Sequence, residues 1–183
     1  MQNGANTLRS LTLFVSSHFM FNVLGKLQSE ILSGEKRKAI STLSLYSKLI
    51  RQACKISEME SITLAEEEVF LKTYCDTEQE RFSESPFTIS FTGFDEIDIT
   101  LEPFLIQPFI ELAILGGLGH KSHDVKIEFN RNENSINIHS VLLNRDVEEK
   151  INEKTEAAMQ RLSFFHHTFE RSEVNGITMQ KII

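Results

Sequence analysis

The chain has 183 residues, 40% hydrophobic and 25% charged, the composition of an ordinary globular protein with length for one domain or two small ones. Its formal net charge of −7, with no segment reading as a basic patch, argues against nucleic acid as a partner. Cys54 and Cys75 lack metal-ligand spacing and read as idle thiols of a cytoplasmic protein.

The first predicted element is a helix over 7–33, closed by Gly34. Its apolar residues continue at helical spacing through "SLTLFVSSHFMF" with no small-residue cleavage site, so the segment reads as mature structure and not as a signal peptide. A second helix, "RKAISTLSLYSKLIRQACKI", follows a short turn, which predicts an antiparallel helical hairpin over the first 57 or so residues. "SITLAEEEVFLKTYCDTEQERF" then opens with a capping signature, Ser61 or Thr63 ahead of Glu66, Glu67 and Glu68. That glutamate run is expected to be a solvated helix start and not a metal site.

After Pro86 the texture changes to strands. "FTISFTG" alternates, "DVKIEFN" and "SINIHSVLL" suit a hairpin across "RNENS", and "GITMQKI" reads as a final strand. Helices are expected near 102–118 and 146–168. The most apolar run, 104–119, is interrupted by Gln107, Pro108 and Glu111, so no membrane span is predicted. The class is α+β, with a hairpin over 1–59 and a layered domain over 60–183. His120 and His123 flank an expected loop and should be solvated. His166 and His167 are adjacent, point apart on a helix, and make no metal pair.

On a helical wheel at about 100° per residue, Leu13, Met20, Leu24, Leu27 and Ile31 form one stripe suited to a bundle core. His18 falls nearly opposite, with Asn22, Gly25 and Ser29, flanked by Phe14 and Phe21. An imidazole on an outer face, one turn from a carboxamide, is a candidate nucleophile with an orienting neighbour.

These residues carry a resemblance. "SHFMFNVLGKLQSEI" resembles the phosphoacceptor box of LytS-type sensor histidine kinases, Pro-His-Phe-Leu-Phe-Asn followed by Leu-Asn. "LSLYSKLIRQ" resembles that family's second hairpin helix. Leu64, Glu67, Tyr74, Arg81 and Phe82 match its next segment, and "LEPFLIQPFIELAILGG" sits where it has Leu-Gln-Pro-Leu-Val-Glu-Asn-Ala-Ile-Lys-His-Gly. "MQRLSFF" is similar to the helix before its last strand. The resemblance implies a hairpin that dimerises into a four-helix bundle, followed by a histidine-kinase-like (GHKL) α/β sandwich.

The departures bear on chemistry. Leu112 stands where the family has its magnesium-holding asparagine, and Leu115 and Gly116 replace the lysine and histidine; Glu111 alone remains. An alkyl group cannot ligate a hard cation. No glycine occurs between Gly119 and Gly176, so the adenine-recognising Asp-x-Gly-x-Gly is missing. His18 and Asn22 match, whereas Ser17 and Gly25 replace the proline and second asparagine. The reading is a histidine phosphotransferase that needs no ATP, cofactor or metal of its own. His18 would be its nucleophile, Asn22 would orient, Phe14, Phe21, Gly25 and Ser29 would contact the partner, and that partner would be a response-regulator receiver domain. The alternative is a non-catalytic pseudokinase that acts as a scaffold or inhibitor of a sensor kinase or regulator.

Overall fold

A computed structural model describes residues 17–95, 99–117, 123–141, 169–174 and 177–182. The expected helix over 146–168, the "MQRLSFF" segment, and Leu13, Phe14, His120, His166 and His167 lie outside them.

Helix α1 (Ser17–Leu32) and helix α2 (Lys36–Ser57) are joined by a turn in which Gly34 adopts φ +79, a conformation glycine takes without steric cost. The chain reverses there, because the Thr42 hydroxyl of α2 donates to Glu30 of α1 at 3.3 Å. Toward the protein, α1 presents Val23, Lys26, Leu27 and Glu30. Lys26 donates to the backbone oxygen of Glu80 and pairs with the Glu30 and Glu80 carboxylates at 3.6 and 3.9 Å.

Strand β1 (Ile62–Thr63) leads into helix α3 (Leu64–Arg81). Of the two candidate caps, Thr63 is the one used: its hydroxyl accepts from the Glu66 amide and the Glu66 carboxylate accepts from the Thr63 amide. This capping box satisfies two donors that a helix start otherwise leaves open. Leu64, Glu67, Phe70, Leu71, Thr73, Tyr74, Cys75, Thr77 and Glu78 of α3 are all buried. Its solvent side is the row Glu66, Val69, Lys72 and Asp76; α2 packs along the helix, and β1 and the strand Phe87–Thr92 also touch it.

Strands β2 (Phe87–Thr92), β4 (His123–Asn130), β5 (Ser135–Val141), β6 (Phe169–Val174) and β7 (Ile177–Ile182) form one sheet, ordered β2-β4-β5-β7-β6. The β2/β4 pair is parallel and the remaining pairs are antiparallel. Strand β3 (Thr100–Leu101) pairs with β1 outside it, and helix α4 (Gln107–Gly116) lies against β4 and β5. Along β4 the residues alternate strictly: His123, Val125, Ile127 and Phe129 are buried, and Asp124, Lys126 and Glu128 are exposed. That period of two turns the apolar side of β4 toward the core and its charged side to solvent. The apolar core runs without a break from Val23, Leu49 and Ala53 through Phe70 and Tyr74 to Ile138 and Ile182.

The fold is thus mixed helix and sheet, with two corrections. Helix α4 begins at Gln107 and not near 102, since Phe104 takes φ 63 and turns the chain first. Strand β6 takes up the charged "FERSEV", which alternation did not single out.

Candidate functional site

Three faces of α1 can be told apart. The first, Val23, Lys26, Leu27 and Glu30, meets α2 and α3. The second holds Met20, Leu24 and Ile31, which remain 40%, 51% and 63% exposed. Of the stripe expected to form a bundle core, only Leu27 among the described residues packs partly against this chain's own core. The third carries Gly25 and Ser29, both exposed, and Asn22, half-buried. His18 belongs to this face by helical register. Phe21, between the second and third faces, is 71% exposed. A methyl group added at Gly25 would meet nothing within 4 Å, so the surface there is open to an approaching group.

Glu111 and Leu112 lie apart from this face, on α4. Leu112 is buried in the core, and its environment is apolar packing. Glu111 is half-buried and, with Glu78 of α3, adds to the burial that pushes the Tyr74 phenol well above its ordinary value. Tyr74 shares a side-chain hydrogen bond with Gln107 across the α3–α4 contact. Arg81 pairs with the buried Glu78 at 2.6 Å and stacks over the Phe82 ring at 4.1 Å. Leu64, Glu67, Tyr74, Arg81 and Phe82, the residues that carried the third segment of the resemblance, are therefore internal supports.

Glu67 was expected to be solvated with its neighbours and is instead fully buried. Its carboxylate accepts from the amides of Phe104 and Ile106, both at 3.3 Å. Ile106 caps α4 with no side-chain bond of its own, so Glu67 supplies from another helix what α4 lacks locally. Its place in an acidic helix start concealed this; only a partner 37 residues away explains it. His123 likewise is buried and not solvated. It starts the inward-facing series of β4, with its ring against Phe87, centroids 5.5 Å apart. The ring also lies over Gly117 so closely that a Cβ added there would collide with it.

Among the described residues no cluster of three metal-ligating side chains occurs, and no helix is long and apolar enough to cross a membrane.

The arrangement of helices on a mixed sheet is that of histidine-kinase bodies. A histidine kinase domain from an Erythrobacter litoralis blue-light-activated kinase superposes with a TM-score of 0.52 at 8% identity, covering 99% of this chain and 93% of that one. A bacterial phosphotransferase superposes with 0.53 at 9% identity, over 100% and 96%. In sequence, residues 6–86 match the histidine kinase family model. The chain is 32% identical over 120 residues to the sensor histidine kinase YpdA of Escherichia coli and 27% identical over 146 residues to the sensor protein LytS of Oceanobacillus iheyensis. These matches span 64% and 79% of this chain but only 20% and 25% of those relatives. In sequence the chain thus resembles LytS-type sensor histidine kinases.

Proposed function

We propose that this chain acts in two-component signalling as a phosphorelay protein, accepting a phosphoryl group on His18 and exchanging it with a response-regulator receiver domain without using ATP. In this reading 1–59 is the dimerising, phosphotransferring hairpin and 60–183 a degenerate ATPase-like body in the cytoplasm. The observation that carries it is the contrast between two regions of one chain. Gly25 and Ser29, on the helix face to which His18 and Asn22 belong by register, are exposed, while Leu112, at the position of the family's metal-holding asparagine, is buried in the core. A buried alkyl side chain at that position supports a reading without a nucleotide-bound cation, which needs oxygen ligands. The fold shared with a bacterial phosphotransferase supports the same reading by analogy.

The chemistry is a displacement at phosphorus. An imidazole nitrogen of His18 attacks, the N–P bond forms as the bond to the receiver's aspartyl oxygen breaks, and that carboxylate leaves with its electron pair. Asn22, one turn on, orients the ring or a phosphoryl oxygen. Magnesium and the acidic cluster belong to the receiver.

The test is transfer of label from a phosphorylated receiver domain. Wild-type protein should acquire an acid-labile, base-stable label, and His18→Ala should acquire none while keeping its helicity. Asn22→Ala should slow transfer by about 10- to 100-fold without ending it. Calorimetry with ATP and magnesium should show no binding. Micromolar nucleotide affinity would revive a kinase reading, and a receiver that binds without ever passing its phosphoryl group would leave the scaffold in its place.

A further inference from the structure

Charge along this chain is sharply segregated. Helix α2 carries six cationic side chains (Lys36, Arg37, Lys38, Lys48, Arg51 and Lys55) and no acidic one, although the protein as a whole is at −7. We propose that the outward ridge of α2 is a docking track for an acidic protein surface, an interaction that does not depend on His18.

Position makes the ridge. Arg37, Ser44, Lys48, Arg51 and Lys55 recur at spacings of 7, 4, 3 and 4 residues, which align them along one side of a helix for about 27 Å. All five are exposed, opposite the buried series Ala39, Thr42, Leu49, Ala53 and Ile56. Among the described residues no carboxylate lies within ion-pair distance of Arg37, Lys48, Arg51 or Lys55; the α2 cation that is paired is Lys38, with Glu35 at 2.5 Å. Lys55 is near enough to Glu66 to favour its ionised form slightly.

The first turn strengthens the case. Lys36, Arg37 and Lys38 stand where the helix dipole favours acids; Glu35 at the N-cap pairs with Lys38, and the first turn holds no acidic residue to offset Lys36 and Arg37. The dipole gains nothing from those two. The low overall charge hides the ridge, so the expectation of no basic patch fails at this helix.

The chemistry of the neighbours selects protein as the occupant. Ile40 and Leu43 run beside the cations, 66% and 53% exposed. A phosphate backbone offers such side chains no apolar contact. Two aliphatic groups are too few to seat the helix in a lipid bilayer. A carboxylate-rich protein surface with an apolar centre answers both features, the charges steering approach and the aliphatic pair supplying contact area.

The experiment uses the whole chain and two labelled probes: poly-L-glutamate and a random glutamate–leucine copolymer. Both should bind at low salt and weaken steeply as salt rises. Arg37→Gln/Lys48→Gln/Arg51→Gln together should reduce affinity for each by at least about tenfold, with helicity and thermal midpoint retained. Lys72→Gln, which removes an exposed α3 cation paired with Glu68, should change neither. The copolymer should bind more tightly than poly-L-glutamate, and Ile40→Ser/Leu43→Ser should erase that difference. Equal binding by wild type and the triple variant overturns the proposal. So does tighter binding, through the same residues, of a DNA duplex or of phosphatidylglycerol vesicles. Because His18→Ala should bind the probes like wild type, failure of the relay and failure of the track are read separately.

Discussion

Replacing Glu67 by alanine removes the acceptor for the amides of Phe104 and Ile106 inside a fully buried site. Phe104 sits at φ 63, a backbone region costly for a residue with a Cβ. It is held there by the Glu67 bond and by its ring, which packs edge-on against Phe70 at 5.1 Å. Glu67→Ala should therefore destabilise the protein by about 2–4 kcal/mol in chemical denaturation. Glu67→Gln, which keeps one acceptor oxygen, should cost less. Two other buried groups set an alkaline limit. Burial pushes the Cys75 thiol and the Tyr74 phenol well above their ordinary 9.0 and 10.0, so the folded protein keeps both neutral. The unfolded chain ionises them near the ordinary values. Their contribution is complete below about pH 9 and is lost as pH rises toward the raised folded values, by at most about 1.4 kcal/mol per pH unit for each group. Urea midpoints measured from pH 8 to 11 should fall, and Cys75→Ala should flatten the earlier part of the decline. No local signal announces Glu67 as interior, whereas the alternation of β4 carried one step back from Val125 reaches His123. Both are polar residues whose burial is settled by contacts with residues away from them in the chain, Phe104 for one and Gly117 for the other.

At the scale of elements, local chemistry was the reliable guide. Gly34 ends α1 and the capping box starts α3 where the residue types predicted. The hairpin of β4 and β5 turns at residues 131–134, within "RNENS". The Thr63 cap is worth about 1 kcal/mol. Thr63→Ala should lower the thermal midpoint by about 2–4 °C for a chain of this size, as differential scanning calorimetry would read. Hydrogen bonds from Thr63 hold the Glu66 carboxyl below its ordinary 4.5. The cap's contribution is therefore present above that value and fades as pH falls below it; Thr63→Ala should lose this acid dependence. What escaped local reading was decided between elements. Helix α4 loses its expected first turn to the Glu67–Phe104 contact, and β6 is a strand because β7 lies beside it in register from Phe169↔Ile182 to Val174↔Ile177. The outer ridge of α2 escaped because a whole-chain charge averages over it.

Across the whole molecule, the exposed Met20, Leu24 and Ile31 are too extended an apolar surface to leave wet on one helix. A second copy of the chain, set face to face in a four-helix bundle, would cover them. Light scattering at tens of micromolar should give a dimer, and Leu24→Glu should give a folded monomer; a wild-type monomer would count against the bundle. The helical half and the sheet were both legible from periodicity, but their common core was not, since Leu49 and Ile56 on α2 join Phe70 and Ile138 only in three dimensions. The pairing of β2 with β4 has a consequence in time. Those strands run parallel and in register from Phe87↔His123 to Thr92↔Glu128, so their closure must wait for the intervening loop to form, including β3, which has to find β1, and α4. Helices α1 to α3 need only near neighbours and can assemble early, on the microsecond scale of local structure. During synthesis Phe70, Leu71 and Tyr74 would then wait uncovered until Phe104 and the later strands emerge. Refolding should accordingly split into a fast helical phase and a slower one, governed by the entropy of closing the parallel pair.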